Sequence, residues 1–284
     1  MRILILTFLF LFPSLTYGDL LPDIPAGYQP LIERLSKDGF DPEFLSGLFM
    51  DERADILPGR MVISLGVQEK KEWYTQFLSP ESILLAKKFL HQNLEPLKQA
   101  EQRYNVDKEV IVAILLVESR FGENTGRHRV IPTLASMAIM DTPDNLLNNF
   151  LILREVDSEV SYERVEERAK HRANWAYHEL KTFLRIIRDE KLDPLEVKGS
   201  FAGALGMPQF IPSSYLAFAH SQNGLENWVS SKEEAILSIA NYLHLHGWKK
   251  KISSARKRKI LWYYNHSDPY VETILQVAQK IKVR

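Results

Sequence analysis

The segment Val110–Gly126, VIVAILLVESRFGENTG, decides the fold class, because eight consecutive apolar residues run directly into a glutamate. A helix that is apolar on every side has to be buried. Asn105 or Asp107 is placed to cap its start, and Gly122 stands where a helix-ending glycine belongs. The sequence therefore predicts a buried helix that carries Glu118 in its last turn.

The predicted surroundings of Glu118 suit acid–base chemistry. Burial and the negative end of a helix dipole both disfavour a carboxylate, so both raise the pKa of a carboxyl group. A carboxyl that keeps its proton near neutral pH can act as a general acid. From this segment alone, the alternative stays open that Glu118 emerges into solvent at the helix end.

The remaining patterns are those of a mainly α fold. Apolar residues recur at helical spacing in four windows, 83–97, 173–187, 235–243 and 271–278. Pro96 is expected to kink or split the first of these helices. The alternation in Met61–Leu65 is the best candidate for a strand. We expect one globular, mainly α unit.

A second segment, GSFAGALGMPQFIPSSY from Gly199 to Tyr215, is rich in glycine and matches no nucleotide-binding motif. Its spacing suits a backbone that approaches another surface closely. Ser200 and Gln209 are uncharged polar groups suited to hydroxyl-rich ligands, and Phe210 and Tyr215 offer flat faces to sugar rings. The local alternative is a tight turn between helices with a capping serine.

A third segment, WYYNHSDPY from Trp262 to Tyr270, gathers tyrosines around an amide just before the final helix. Its members of interest are Tyr263, Tyr264, Asn265 and Tyr270. The alternative interpretation is that the tyrosines pack in the core and that Asn265 starts a turn.

Composition excludes several classes of protein. The 284 residues are 45% hydrophobic, which argues against a disordered chain. Thirty-six basic residues balance 36 acidic ones, so no net positive charge marks a dedicated nucleic-acid binder. The chain has no cysteine, which excludes disulfides, thiolate metal sites and a cysteine nucleophile.

The N-terminal segment predicts export. Residues 1–18 combine a positive start, a short apolar run and small residues before the expected cleavage point, the pattern of a signal peptide. The apolar run is shorter than the roughly 20 residues that a spanning helix needs. We therefore expect a periplasmic protein that starts near Asp19 and has no stable membrane anchor.

Four blocks in order carry a family resemblance: VESRFGENTG, GSFAGALGMPQFIPSSYLAFA, IANYLHLHGW and YYNHSDPYVETIL. Together they closely resemble the B-type lytic murein transglycosylases, which are lysozyme-like enzymes of the bacterial periplasm. The resemblance covers roughly residues 85–281. It implies a lysozyme-like catalytic unit over 19–284, with a helical N-terminal extension (19–84) and a charged helical insertion (141–172).

The resemblance also implies an activity. The family cleaves the β-1,4 bond between N-acetylmuramic acid and N-acetylglucosamine and leaves a 1,6-anhydro end. Glu118 matches the single catalytic acid/base, and the positions that match substrate-lining residues are Ser200, Gln209, Tyr264, Asn265 and Tyr270, with Phe210 beside them. No cofactor is implied. Peptidoglycan glycan strands are the expected partner, and other cell-wall enzymes are further candidates.

The chain departs from the family pattern at several places. Many relatives carry an Asp-rich calcium loop after the glycine-rich block, whereas residues 220–228 here contain only one acidic residue, Glu226. We therefore predict no metal site. The charged stretch 151–172 is interpreted as a solvated helical excursion, and the basic stretch 249–259 as a solvated face that can also attract an anionic wall.

Two other functions remain as alternatives. One is a hydrolytic muramidase of the same fold, with Asp141 or Asp144 as the second carboxylate. The other is a non-catalytic wall-binding protein that uses the aromatic groove without turnover.

Overall fold

The computed structural model describes residues 26–66 and 70–282, and most of that part of the chain is helical. Its fourteen α-helices are α1 (Gln29–Lys37), α2 (Pro42–Met50), α3 (Pro58–Gly66), α4 (Pro80–Gln92), α5 (Leu94–Tyr104), α6 (Lys108–Ser119), α7 (Val130–Ala138), α8 (Pro143–Val156), α9 (Tyr162–Glu190), α10 (Pro212–Phe218), α11 (Gly224–Trp228), α12 (Lys232–Leu245), α13 (Ser254–Tyr264) and α14 (Asp268–Ile281). Three 3₁₀ segments span Ala26–Tyr28, Glu52–Ala54 and Lys71–Leu78. The mainly α class predicted from the sequence is confirmed.

The described chain divides into two compact units, one up to Glu52 and one from Arg53 onward. In the first unit, α1 buries one face, with the side chains Leu31, Ile32 and Leu35. Tyr28 packs against Phe49 of α2, and their ring centroids are 4.6 Å apart. The second unit holds every candidate site residue. The domain division expected from the sequence stays a prediction.

Helix α6 lies at the centre of the second unit. Its side chains are buried from Val110 through Leu116, and it packs against α4, α5, α12 and α14. Asp107 precedes α6 but does not cap it with its side chain. Instead, its Oδ2 accepts hydrogen bonds from Nε1 of Trp248 at 3.0 Å and from Nζ of Lys257 at 2.9 Å. Because Trp248 is fully buried, the start of α6 is fixed to the core.

The charged stretch 151–172 is helical except for the turn at 157–161, and it continues into the core. It takes in the end of α8 and the first part of α9, a helix of 29 residues. Ser161 caps α9 by accepting a hydrogen bond from the backbone N–H of Arg164 at 3.3 Å. Further along, α9 buries an apolar face and packs against α7, α8 and α10. One helix therefore joins the charged excursion to the core.

One local expectation was wrong, and another was right about a helix break but wrong about its position. Met61–Leu65 belongs to helix α3 rather than to a strand, and its buried residues Met61 and Leu65 have helical spacing. The expected break in the next helical window occurs at Asn93, between α4 and α5. Pro96 lies in the first turn of α5, where the missing N–H of a proline is tolerated.

A two-stranded antiparallel sheet joins two of the sequence motifs. Strand β1 (His128–Arg129) pairs with β2 (Lys198–Gly199), and Val130 N–H extends the pairing to the carbonyl of Val197 at 3.1 Å. The backbones approach closely here, because a Cβ on Gly126 would overlap the carbonyl of Gly199. The sheet thus holds the segment after α6 against the start of the glycine-rich block.

The structure bears only partly on the membrane and export predictions. The proposed signal peptide, residues 1–18, lies outside the described residues. Within 26–66 and 70–282, none of the helices has both the length and the apolar character that crossing a bilayer requires.

Candidate active site

Glu118 lies in the last turn of α6, as predicted, with its side chain partly buried. Its Oε1 accepts a hydrogen bond from the hydroxyl of Tyr270 at 2.7 Å. Tyr270 is only 1% exposed and lies in the first turn of α14, which packs along α6. Two helices of the core therefore fix the carboxyl group and its donor relative to each other.

The end of α6 differs from the expected glycine stop. The helix ends at Ser119, and the three residues that follow have left-handed backbones: Arg120 (φ 47°), which is the C-cap, Phe121 (φ 62°) and Gly122 (φ 95°). Such a conformation costs a non-glycine residue about 1–2 kcal/mol. Phe121 stacks on Phe89 of α4 with ring centroids 4.1 Å apart, which helps to hold this turn.

Ser119 joins the end of α6 to the glycine-rich block. Its side chain is buried, and its hydroxyl donates to the carbonyl of Met207 at 2.9 Å. The same oxygen accepts a hydrogen bond from the backbone N–H of Gly122 at 3.1 Å. The residue next to Glu118 therefore positions two loops, a role that the sequence did not reveal because its partner is 88 residues away.

Ser200 stabilises the glycine-rich loop. Its Oγ accepts hydrogen bonds from the backbone N–H groups of Ala202 at 3.1 Å and Ala204 at 3.0 Å. These contacts lie within its own loop and do not reach Glu118. The hydroxyl still has a proton to donate, so Ser200 can both shape the loop and present a donor.

Gln209 lies at a turn closed by the pairing of Leu205 with Phe210. Its backbone is left-handed (φ 53°). Its Nε2 donates to the carbonyls of Gly206 at 2.8 Å and Thr125 at 3.1 Å. The amide nitrogen thereby ties the block to the segment after α6, while Oε1 remains the acceptor end of the side chain.

The aromatic segment forms a wall beside Glu118. Tyr264 stacks near Tyr270 with ring centroids 6.2 Å apart, and its hydroxyl donates to the carbonyl of Pro208 at 2.7 Å. Burial, and then the charge of Glu118, raise the pKa of both Tyr264 and Tyr270 well above the usual range. Both phenols are therefore neutral at physiological pH, and Tyr270 is a hydrogen-bond donor to the carboxyl group.

Asn265 connects this wall to a residue that sequence reasoning missed. Its Nδ2 donates to the hydroxyl of Tyr74 at 3.4 Å, and Tyr74 packs edge-on against Tyr270 at 6.2 Å. Tyr74 lies in the 3₁₀ segment Lys71–Leu78, upstream of the blocks that carry the family resemblance. The sequence offered no signal for Tyr74 beyond its being one of three aromatic residues in this mixed stretch.

The two remaining aromatic candidates are covered by other side chains. Phe210 is 2% exposed and packs with Trp228, Tyr242 and Tyr264 at centroid distances of 5.9 Å. Tyr215 is buried, and its hydroxyl donates to Oε1 of Glu190 at 3.0 Å. Their broad ring faces therefore support the site by packing, in contrast to the sugar-facing surfaces expected from the sequence.

The segment that corresponds to the family's calcium loop has a different stabilising arrangement. Oε2 of Glu190 accepts the backbone N–H of Leu225 at 2.6 Å, and Oε1 of Glu234 accepts that of Gln222 at 3.1 Å. A calcium ion takes six to eight oxygen ligands. The one acidic residue of the loop, Glu226, is exposed, and among the described residues beside the loop only Glu190 and Glu234 supply carboxylates, each with one oxygen bound to a backbone N–H. These residues do not fit a calcium ion.

Comparison with known proteins identifies the family. The family described as "Transglycosylase SLT domain" matches residues 25–260. Membrane-bound lytic murein transglycosylase B of Escherichia coli K12 is 35% identical over 178 residues, which is 62% of this chain and 41% of that protein. The chain therefore matches less than half the length of this curated relative.

Solved structures share the fold. The soluble lytic transglycosylase SltB1 from Pseudomonas aeruginosa has a TM-score of 0.70 and 26% identity, covering 89% of this chain and 97% of its own. The Escherichia coli lytic transglycosylase Slt35, solved in complex with calcium, has a TM-score of 0.68 and 25% identity, covering 90% and 92%. These matches confirm the predicted resemblance to B-type lytic murein transglycosylases and their lysozyme-like fold. The chain belongs to the transglycosylase SLT domain family.

Proposed function

We propose that this chain is a lytic transglycosylase that cleaves the β-1,4 bond between N-acetylmuramic acid and N-acetylglucosamine in peptidoglycan. The observation that carries the proposal is the hydrogen bond from Tyr270 to Glu118 at the end of a buried helix. It orients one carboxyl group beside an aromatic wall. Membership of the family and the 35% identical relative support the reaction class.

Glu118 acts in both halves of the reaction. Its carboxyl proton passes to the glycosidic oxygen as the bond from C1 to that oxygen breaks, and the muramoyl N-acetyl oxygen stabilises the cationic C1. The ionised Glu118 then takes the proton of the C6 hydroxyl as O6 bonds to C1. The product is a 1,6-anhydro end, and no water is consumed. Each proton transfer contributes roughly 10²–10⁴-fold to the rate.

Tyr270 balances the two protonation states that this cycle needs. Partial burial favours the protonated carboxyl before cleavage. The hydrogen bond donated by Tyr270 favours the ionised carboxylate that exists between the two steps. Ser200, Gln209, Tyr264 and Asn265 are the groups that we expect to orient the sugar and its acetamido substituents.

A hydrolytic muramidase needs a second carboxylate near Glu118. The candidates are Asp141, whose charge acts on Lys170 of α9, and Asp144, which is exposed in the first turn of α8. The carboxylate whose charge acts on Tyr264 and Tyr270 is Glu118. Membership of the family favours the transglycosylase reaction with one carboxyl group, and the labelled digestion distinguishes the two reactions.

Digestion of purified peptidoglycan in ¹⁸O-labelled water tests the proposal. We expect muropeptides with anhydro ends and without the label, resolved by mass spectrometry. Products with reducing muramic acid ends, heavier by one water and carrying the label, would establish the muramidase instead.

The Glu118→Gln variant tests the assigned acid/base, and Glu123→Gln is its matched control. Glu123 lies five residues further along, and its side chain is 61% exposed in an ion pair with Arg120. We expect Glu118→Gln to lose product formation by a factor of at least 10² and Glu123→Gln to retain it. Full activity of Glu118→Gln, or its full complementation of a wall defect without turnover, would support the non-catalytic alternative.

Location and further partners stay predictions. Cell fractionation with and without residues 1–18 checks the proposed export to the periplasm. Co-purification of the chain from cross-linked cells checks the expected association with other cell-wall enzymes.

A further inference from the structure

A cavity adjoins the candidate active site. It has a volume of about 280 Å³ and shares Gln209 and Tyr264 with that site. Its other lining residues are Arg172, Trp175, Phe210, Ile211, Ser214, Tyr242, Tyr263 and His266. We call it the Arg172 pocket. At this volume it lies at the small end of ligand cavities, so it suits a substituent of the strand better than a whole disaccharide.

The charge of the Arg172 pocket is one-sided. None of its lining residues is acidic, and Arg172 takes part in no ion pair within the described chain. A guanidinium group is planar and presents paired donors that match a carboxylate. The pocket therefore places an exposed cation beside aromatic rings and polar side chains, which is an arrangement that can receive an anionic ligand.

The neighbouring turns of α9 add to the positive potential. Arg164, Arg168 and Arg172 follow one another at intervals of four residues, so they lie along one side of the helix. Burial, and then the charges of Arg172 and Arg164, lower the pKa of Arg168. Three cations are thus crowded at the end of the charged stretch, and Arg172 is the one that reaches the Arg172 pocket.

The other walls are suited to a polar chain with small apolar parts. Trp175 lies one turn beyond Arg172 on α9, and Tyr263 is 40% exposed. Ser214 adds a hydroxyl group and His266 adds ring nitrogens. Trp262 packs edge-on against His266 with ring centroids 4.2 Å apart, which holds the imidazole in place.

We propose that the Arg172 pocket binds a carboxylate of the peptidoglycan strand and that Arg172 determines this specificity. The proposal rests on the proposed function, since it assumes that the strand occupies the site around Glu118. Two parts of the polymer can supply the carboxylate. One is the peptide stem on the muramoyl residue, and the other is the lactyl group of a muramoyl residue whose peptide has been removed.

Binding measurements with three probes test the proposal. The probes are a disaccharide with its peptide stem, a peptide-free glycan strand, and a neutral oligomer of N-acetylglucosamine. Each is titrated into the full chain carrying Glu118→Gln, which prevents turnover, with and without Arg172→Gln. We expect Arg172→Gln to weaken binding of a carboxylate-bearing probe about ten- to a hundredfold, the range for losing a charged hydrogen bond.

The pattern across the probes identifies the source of the carboxylate. A loss confined to the stem-bearing probe assigns the stem carboxylates, and a loss confined to the peptide-free strand assigns the lactyl group. Unchanged binding of every probe, an equal loss on the neutral oligomer, or no binding of any probe to the parent chain overturns the proposal.

Two further variants separate charge from structure. Arg172→Lys keeps the positive charge but loses the paired donors of the planar guanidinium group, and we expect an intermediate affinity. Arg164→Gln removes the same charge from the same helix outside the Arg172 pocket, and we expect a much smaller loss than for Arg172→Gln, because an exposed charge two turns away is largely screened. In chains that retain Glu118, Arg172→Gln is expected to raise KM and leave kcat unchanged, because Arg172 does not touch the reacting atoms. Anhydro products with unchanged KM would reject this inference alone, whereas the absence of anhydro products would reject the proposed function.

Discussion

The two ends of helix α6 are built in opposite ways. At its start, Asp107 has an ordinary extended backbone and its carboxylate is fixed by a buried tryptophan and a lysine. At its end, two non-glycine residues in succession have left-handed backbones, beside the partly buried Glu118. The first end lowers the free energy of the fold, whereas the second places unfavourable conformations next to the proposed chemistry.

This difference shows that backbone strain in α6 is confined to the end that carries Glu118. Strained backbones persist only where the surrounding contacts over-determine them, and such residues cluster at functional sites. Ser119, bonded to Met207, and Phe121, stacked on Phe89, supply those contacts. The comparison therefore predicts that substitutions at the two ends change stability and activity in different proportions.

The largest effect is expected from Gly126→Ala. An added Cβ would overlap the carbonyl of Gly199, and the backbone there is left-handed (φ 94°). We expect a loss of more than about 3 kcal/mol in the free energy of unfolding, measured by chemical denaturation. Gly59→Ala is the control, because no atom lies within 4 Å of its added Cβ. Equal stabilities of the two variants would contradict the close approach.

Ser119→Ala tests whether the contacts at the end of α6 affect activity as well as stability. It leaves the buried carbonyl of Met207 without its donor, which costs about 1–3 kcal/mol, and it frees the loop beside Glu118. We expect a lower kcat per folded molecule. Asp107→Ala should cost a comparable amount of stability and leave kcat unchanged, because its partners lie at the other end of α6. Equal kcat values in the two variants would contradict the expectation that only the end beside Glu118 affects activity.

The pH dependence of stability provides a third test. Burial raises the pKa of Tyr270 well above the ordinary tyrosine value of about 10, so the folded chain keeps a proton that the unfolded chain loses. This contribution is complete below pH 10 and is lost as the pH rises, by about 1.4 kcal/mol per pH unit. Thermal unfolding between pH 10 and 11 measures it. Tyr270→Phe should show a shallower slope, and an identical slope would contradict the assignment.

Arg120→Gly gives the smallest expected change. Glycine removes about 1–2 kcal/mol of strain from the left-handed backbone. Its greater conformational entropy in the unfolded chain destabilises the fold by about 0.5–1 kcal/mol. The lost ion pair with Glu123 is exposed and contributes little. We expect a net gain of about 0–1.5 kcal/mol in denaturation experiments. Arg103→Gly, inside helix α5, should instead destabilise, and a loss at both positions would show that the turn after α6 carries no strain.

The sequence predicted the helices whose stability depends on one-sided burial. The windows within α9, α12 and α14 have apolar residues at helical spacing, and the structure buries them. The predicted strand at Met61–Leu65 was wrong, because its middle residues, Val62 and Ile63, are β-branched and favour strands locally. Contacts of α3 with α7, α8 and α9 outweigh that local preference.

The candidate site was predictable where chemistry is concentrated in a motif and not where it depends on distant pairing. Glu118 stood out because an acid ends an apolar run. Ser119 and Tyr74 did not, since their partners Met207 and Asn265 lie far along the chain. Phe210 was recognised as aromatic, but its burial among other rings follows from tertiary packing alone.

The short sheet between β1 and β2 has an evolutionary consequence. It brings the two ends of the segment 130–197 together, and the charged stretch 151–172 lies between them, flanked by the buried parts of α7 and α9. Insertions or deletions inside such a closed excursion do not change the separation of its ends, and loop-closure entropy grows only slowly with length. Related chains can therefore differ in the length of the charged stretch 151–172 while the two motifs that the sheet joins keep their relative positions.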